Sequence, residues 1–432
     1  MAMQLLILLP LLICALSPGL GKSIQFQDAE TYNWMDNNPE WTESGKKIVD
    51  GDIALEDDDP RPTSRKMVPD PEKRWPDDPL TGWPLVPYNL QNYPKADHDV
   101  IHEGLDHWME NTCLVFQETY ILDQPHINFN EGNGCHSNIG RVASHNGQVV
   151  SIGQGCKQMH TVAHEVGHAI GFHHEQCRTD RDDYITVLYE NIKPGSGGNF
   201  NKHEDNSTGV EYDYSSIMHY GSQSFSENGL NTIMPKFDPT MQRFMGHHTG
   251  LTFRDKLLAN RVYDCIGKWK KVCGANSMEC SNLGYMGADC KCVCPPGTSG
   301  KHCQHVEGGY YPALTCGGNM TAPGYIETSN WPDIPNPNEW CMWWVQAGDG
   351  ERVRVTFHAF DLTYRPDSGR CIHDKLELRL QDPLTTGNKY CEDEIKPDDE
   401  FVSEGSEMFI SFFGATHQNN HTGFSATIDF IS

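Results

Sequence analysis

After Leu16 the chain has no run approaching 18 consecutive apolar residues, so nothing later reads as a membrane-spanning helix. Positive charge is also scarce. Lys and Arg number 33 against 59 Asp and Glu, giving a formal net charge of -26 and a pI near 5.1. That balance argues against a nucleic-acid partner and against anionic membrane surfaces. No repeat with a period of about 20–50 residues is visible, which excludes solenoid and propeller arrays. Residues 22–74 contain no cysteine and are rich in Asp, Glu and Pro, a composition poor for an autonomous core.

The N-terminus has an apolar core from Leu5 to Leu16 and small residues at Gly19 and Gly21, and reads as a cleaved secretory signal over 1–21. A secreted, extracellular protein is therefore expected. The 16 cysteines fit an oxidising compartment. Cys14 leaves with the signal and an odd number remains, so one thiol is left over or pairs with another molecule. Asn206, Asn319 and Asn420 stand in glycosylation sequons.

A chain of 432 residues suits two or three domains. Residues 22–74 read as a linker or, more sharply, as a pro-segment closed by the dibasic pair Lys73-Arg74. From Trp75 to Lys268 the texture is globular. Ile101, Leu105, Trp108 and Met109 predict an amphipathic helix, and Thr112–Gln117 and Val149–Ile152 predict strands. Gly195 to Gly198 predicts a flexible loop. Six cysteines then crowd between Cys273 and Cys303, where the ending predicts a Cys294–Cys303 bridge and leaves the other pairings open. Beyond Cys316, strand-like runs such as Arg352–Phe357, Leu376–Leu380 and Ser425–Phe430 recur between turn signals, the texture of a β-sandwich.

The most informative stretch runs from His164 to Glu175 and reads H-E-x-x-H-x-x-G-x-x-H-E. On a helix, His164 and His168 share one face, about 40° apart around the axis, and can hold one Zn²⁺. Glu165 stands beside the first ligand, where a carboxylate can accept a proton from activated water. Gly171 allows the chain to leave the helix and bring a third histidine round.

With the downstream tract Ser216-Ile217-Met218-His219-Tyr220-Gly221 and the C-terminal modules, the chain resembles the astacin family of zinc metalloendopeptidases. The resemblance implies a multidomain protein. A signal peptide (1–21) and pro-segment (22–74) precede an α+β two-subdomain metzincin catalytic domain (75–268) built on an active-site helix. A small disulfide-rich EGF-like module (269–304) and an all-β CUB sandwich (316–432) follow. It implies His174, rather than His173, as third zinc ligand, with His173 an ordinary subsite or surface residue. Glu165 becomes the general base. Met218 forms the floor beneath the metal, and Tyr220 is a mobile phenol that ligates zinc at rest and then binds the oxyanion. Glu175 would meet the new N-terminus after activation.

The family's latency motif maps to Val49-Asp50-Gly51-Asp52-Ile53, with Val where Phe is usual. Asp52 is thereby implied as a metal ligand in the latent form only, with Asp50 the weaker alternative. Cleavage after Arg74 leaves a shorter mature lead than is usual. The tract from Arg178 to Tyr184 is expected to form structural ion pairs. The resemblance also implies disulfides Cys113–Cys265, Cys135–Cys156, Cys316–Cys341 and Cys371–Cys391. Cys177 is then the odd one, a buried free thiol, an intermolecular bridge or a redox-sensitive position. In the CUB domain Asp374 matches a calcium carboxylate, but Thr416 stands where another Asp is usual, so a Ca²⁺ site is expected to be weak or missing. Expected partners are protein substrates, an activating protease, and matrix proteins through the EGF-like and CUB modules. A catalytically silent extracellular binding protein and a non-proteolytic zinc hydrolase are the competing readings.

Overall fold

The computed structural model describes residues 34–55, 70–144, 146–203, 208–274, 278–364, 371, 373–414 and 420–432. The signal segment 1–21, Asn206 and Thr416 lie outside these described residues.

A seven-stranded mixed sheet carries the first half of the chain. Its strands are β1 (Ile48–Val49), β2 (Ile53–Ala54), β3 (Leu85–Asn89), β4 (Val115–Glu118), β5 (Ile127–Asn130), β6 (Cys135–Ser137) and β7 (Gln148–Ile152), in the order β1-β2-β6-β7-β5-β3-β4. The stretch expected to be a cysteine-free pro-segment therefore enters the sheet. Its hairpin β1–β2 pairs Val49 with Ile53 and joins β6 in parallel through Ile53 and Ser137. A polar segment that cannot build a core borrows one from the edge of its neighbour.

Helix α1 (His98–Asn111) buries Ile101, Leu105 and Trp108 on one face, while α2 (Met159–Ala169) is buried from Thr161 to Ala169. A helix buried nearly all round sits in the middle of a core, and here it carries polar side chains in with it. The Trp108 indole donates to the Ala163 carbonyl at 2.8 Å, and Cys113–Cys265 and Cys135–Cys156 are bonded.

The second half of this region is largely irregular, with β8 (Ile185–Val187) paired to β9 (Ile233–Pro235). The glycine-rich stretch from 195 is partly ordered as a 3-10 turn, Gly197–Phe200, because Phe200 is buried against Tyr220 and Phe225. Helix α3 (Phe253–Val262) starts in a capping box of Thr252 and Asp255. Helix α4 (Cys265–Val272) runs past Lys268, so the change in composition there falls inside a helix.

The cysteine-dense module follows, with Cys273–Cys290, Cys280–Cys292 and Cys294–Cys303 bonded. Two short ladders pair β10 (Tyr285–Met286) with β11 (Cys292–Val293) and β12 (Thr298–Ser299) with β13 (His305–Val306). Tyr310 and Tyr311 then donate to Asp213 at 3.0 and 3.1 Å.

The C-terminal sandwich has two sheets. One orders β14 (Cys316–Met320), β16 (Trp340–Gln346), β21 (Glu407–Phe413), β18 (Lys375–Arg379) and β19 (Asn388–Tyr390). The other orders β15 (Gly324–Glu327), β22 (Gly423–Ile431), β17 (Arg352–Asp361) and β20 (Glu400–Val402). Val353, Val355 and Phe357, on alternate positions of β17, face the core with Leu376, Ile410 and Phe424. Cys316–Cys341 and Cys371–Cys391 are bonded, and Asn319 and Asn420 are exposed.

The sandwich docks on the region before it through buried polar groups. Arg379, 1% exposed, donates to Glu377 at 2.9 Å, to the Pro383 carbonyl at 2.7 Å and to Gln242. Asn231 donates to Glu377 at 3.3 Å, and Lys389 reaches Gly229 O and Asn231 Oδ1, both at 3.0 Å. Burial raises the Glu377 pKa, but Arg379 and Lys389 outweigh it and hold the carboxyl at about 2. Being depressed, this group stabilises the dock fully above its ordinary value near 4.5, and the contribution is lost as pH falls toward about 2. Arg379→Ala strands a buried carboxylate and should cost about 3–5 kcal/mol in thermal unfolding at neutral pH. A smaller loss near pH 3 is expected, because protonating Glu377 removes the stranded charge.

Candidate metal centre

Helix α2 sets the first two imidazoles. At its end Gly171 adopts φ +109°, a conformation that side-chain-bearing residues avoid, and turns the chain so that His174 comes back over the helix. His164 Nδ1 lies 2.7 Å from the Ile217 carbonyl and His168 Nδ1 lies 2.8 Å from the Phe172 carbonyl. A carbonyl only accepts, so both Nδ1 atoms carry the proton and both Nε2 atoms carry a lone pair. Those Nε2 atoms face one another at 3.1 Å.

Asp52, in the β1–β2 turn, closes the group. Its Oδ2 lies 3.1 Å from His164 Nε2 and 3.2 Å from His174 Nε2, and its Oδ1 lies 3.3 Å from His168 Nε2. All four residues are at most 1% exposed. A tetrahedral ion with ligand distances of about 2.0–2.1 Å has donor-to-donor edges of about 3.3 Å, which these separations match. Burial pushes the His164 imidazole down to about 4, keeping it neutral and able to ligate. Three imidazoles and one carboxylate form a zinc donor set, and the residues present fit the ion.

Glu165 is fully buried, and neither of its oxygens meets a hydrogen-bond donor. Burial raises its pKa well above the ordinary value, and the Asp52 carboxylate adds to the rise. Met218 is buried beneath α2. A Cβ on Gly167 would stand 3.0 Å from its sulfur, so the glycine between the two histidines makes room for this floor. Asp255 holds the Met218 turn in place, accepting from the Ser216 hydroxyl at 2.6 Å and from the Ile217 amide at 3.0 Å. It therefore supports the carbonyl that orients His164.

The Tyr220 ring packs on His174 at 4.6 Å, and its hydroxyl donates to the Asp50 carbonyl at 2.5 Å. Where the resemblance implied a resting bond to the metal, the phenol here holds the β1–β2 turn. Glu175 is buried and accepts from the Asp213 amide at 2.7 Å and from Arg178 at 3.2 Å. Arg178 pairs with Asp180, and Arg181 with the Gln176 and Phe200 carbonyls, so this tract is scaffolding. His173 is 1% exposed, which removes the surface reading for it.

Several residues that the sequence did not single out hold the segment 34–55 in the cleft. Asn38 donates to the Gly51 carbonyl at 2.8 Å and to the Cys135 carbonyl at 2.6 Å, and accepts from the Cys135 amide at 2.9 Å. Its amide thus imitates a peptide unit against strand β6, beside the short β2 pairing. Asp36 accepts from the Phe225 amide at 2.7 Å, and Met35 packs with Phe200, Tyr220 and Phe225. Nothing local marks these residues. Asp255 did carry a signal, since Thr252 and Asp255 spell a capping box. At Lys73 the carbonyl accepts from the Arg141 amide at 2.7 Å, while the Trp75 indole caps the Ala169 carbonyl at 2.9 Å. In the sandwich, Asp374 accepts from the Thr363 hydroxyl at 2.6 Å.

The Astacin peptidase family model matches residues 67–264, and the CUB domain model matches residues 316–428. Blastula protease 10 of Paracentrotus lividus is 35% identical over 83% of this chain. The chain spans 59% of that relative's length. Zinc metalloproteinase nas-27 of Caenorhabditis elegans is 30% identical over 81% of this chain and 82% of its own. Among solved structures, high choriolytic enzyme 1, a hatching enzyme zinc-protease from Oryzias latipes, is 34% identical. It covers 45% of this chain and 96% of its own, with a TM-score of 0.42.

Asp255→Ala leaves the buried Ser216 hydroxyl and Ile217 amide unsatisfied. It should lower stability by about 2–4 kcal/mol in denaturant unfolding and weaken metal retention on dialysis against a chelator.

Proposed function

The chain belongs to the astacin family of peptidases, and from that premise we propose that it is a secreted zinc metalloendopeptidase made as a latent precursor. His164, His168 and His174 hold the ion, and Asp52 occupies its fourth position until the pro-segment leaves. The single observation that carries this reading is the pair of lone-pair-bearing Nε2 atoms 3.1 Å apart in a pocket closed to water, an arrangement that a cation between them stabilises.

Bound zinc supplies Lewis acidity toward a peptide carbonyl and lowers the pKa of water. The remaining chemistry belongs to side chains. Glu165 accepts a proton from the attacking water and returns it to the leaving amine. Loss of Asp52 removes one of the two influences raising the Glu165 pKa and so favours the ionised base. Tyr220, released from the Asp50 carbonyl, can donate its hydroxyl to the developing oxyanion, and burial keeps that phenol protonated. Edge strand β6, freed of Asn38 at Cys135, offers backbone groups to an extended protein substrate. The EGF-like and CUB modules would present such substrates from the extracellular matrix, an envelope or secreted precursors. No helix among the described residues is long and apolar enough to cross a membrane. Glu165 and Tyr220 at the centre favour an enzyme over a silent binding protein.

The test is to cleave the purified precursor after Arg74, profile peptide-library cuts and repeat with a zinc chelator. Glu165→Gln should keep zinc while peptide cleavage falls by about 10²-fold or more. Full activity in that variant would falsify the assignment. Asp52→Ala should give a precursor that cleaves peptides without processing, more slowly than the mature form because Asn38 and Asp36 still hold the cleft. An Asp52→Ala precursor as silent as the unmodified one would remove Asp52 from the latency device.

A further inference from the structure

We propose that the latent protein binds a second zinc ion, held by Asp50, Cys177 and His203 beside the three-histidine centre. Among the described residues, four groups of at least three metal-ligating side chains bring their donor atoms within 4.8 Å of one another. Two of them rest on Cys316 and Cys341 or on Cys371 and Cys391, whose sulfurs are spent in disulfides. The third is the centre already described. The fourth joins Asp50, Cys177 and His203, all buried.

The donor set selects the ion. One thiol, one imidazole and one carboxylate make a mixed sulfur, nitrogen and oxygen site, which suits zinc. Calcium and magnesium seek oxygen throughout, so they do not compete here. Cys177 is the one free thiol among the described residues. Its sulfur makes only long contacts, 3.7 Å from Gln176 Nε2 and 3.6 Å from the Asn199 carbonyl. In the protein alone Asp50 Oδ2 and His203 Nε2 share a hydrogen bond of 2.5 Å. Zinc entry would open that pair by less than about 1 Å, toward the tetrahedral edge, and release the shared proton and the thiol proton to solvent. No oxidant or reductant is needed.

His173 stands beside this cluster without joining it. It is 1% exposed, neither ring nitrogen has a hydrogen-bond partner, and its ring lies 5.5 Å from that of His203. Its nitrogens fall outside the 4.8 Å grouping, so the ligands assigned to the second ion are Asp50, Cys177 and His203 alone.

The turn explains how two sites fit side by side. Asp50 and Gly51 both adopt positive φ, at +48° and +82°, so the chain reverses within three residues and sends Asp50 and Asp52 to different clusters. On the opposite wall His174 caps and Cys177 ends a single 3-10 turn, Glu175–Cys177. Pro-segment and catalytic wall are then stapled twice, and processing removes one ligand from each ion. Cys177, left unpaired by the disulfides, acquires a role as a metal ligand.

Metal analysis of the purified precursor tests this directly, with Zn²⁺ and Co²⁺ as probes. The unmodified precursor should hold about two zinc ions per chain, and Cys177→Ser and His203→Asn about one each. Cobalt loading should give a near-ultraviolet thiolate-to-cobalt charge-transfer band. The three-histidine centre contains no sulfur, so the band reports on the second site alone. It should vanish in Cys177→Ser and persist in Glu165→Gln. If a variant fails to fold, the unmodified precursor still decides through its stoichiometry and its band. About one zinc per chain with no cobalt band, or a stoichiometry unchanged by Cys177→Ser, overturns the proposal. A cobalt band with about one metal per chain supports this site and counts instead against the three-histidine reading.

Discussion

Two imidazole lone pairs pointed at each other inside a dry pocket repel, and everything around α2 holds them there. His164 and His168 cannot relieve the repulsion by changing tautomer, because their Nδ1 protons are committed to the carbonyls of Ile217 and Phe172. The two carbonyls come from different places. Phe172 belongs to the exit of α2 itself, and Ile217 to a turn 53 residues beyond His164. The metal geometry thus depends on tertiary structure even though three of its four donors lie within eleven consecutive residues. Asp255 belongs to the same construction, since it holds the Ile217 amide while the Ile217 carbonyl holds His164.

The segment laid over the cleft uses the same economy of parts. The β1–β2 hairpin is too short to be stable alone, and residues 34–55 have no core of their own. They gain one from the edge of the sheet and from the cleft. Met35 joins the Phe200, Tyr220 and Phe225 cluster, Asn38 pairs with both backbone groups of Cys135, and Tyr220 turns its hydroxyl to Asp50. The groups proposed for substrate and oxyanion are those that residues 34–55 occupy. Under the proposed reading, latency and catalysis compete for one set of hydrogen bonds.

What could be read from the sequence follows how local each signal is. His164, Glu165, His168 and His174 are legible because a helix and one glycine fix their relation over a dozen residues. The strand-rich texture of the C-terminal part is legible because β17 alternates buried and exposed positions along its length. The core around Trp108 was foreshadowed by the spacing of Ile101 and Leu105. Asn38, Asp36 and His203 carried no such mark. Their roles exist only after contacts spanning 97, 189 and 153 residues have formed, and a lone Asn or His in a polar stretch has no periodicity to betray it. His173 reads by sequence as a subsite or surface residue, and the turn after Gly171 buries both neighbouring imidazoles, which leaves only the first. The change in composition at Lys268 marks no element boundary, because α4 continues through it.

The docking of the sandwich follows from the chemistry of its contact. An apolar patch of the same size would hold the two bodies together while allowing them to slide, since hydrophobic burial has no direction. Arg379 presents a planar fork whose nitrogens are divided among Glu377, Pro383 and Gln242, and Asn231 and Lys389 tie the other side to Glu377 and Gly229. Burying these charges costs desolvation that the pairing must offset, so the contact contributes little net stability for its size. It does fix a single pose, because sliding would leave buried charges and amides unpaired. The segment it grips reaches toward the cleft: Gln242 donates to the Ser222 hydroxyl at 3.4 Å, two residues after Tyr220, and Asn231 leads into β9. The sandwich therefore grips the segment that leads to the wall of the cleft carrying Tyr220 and Phe225, although it supplies no group to the three-histidine cluster.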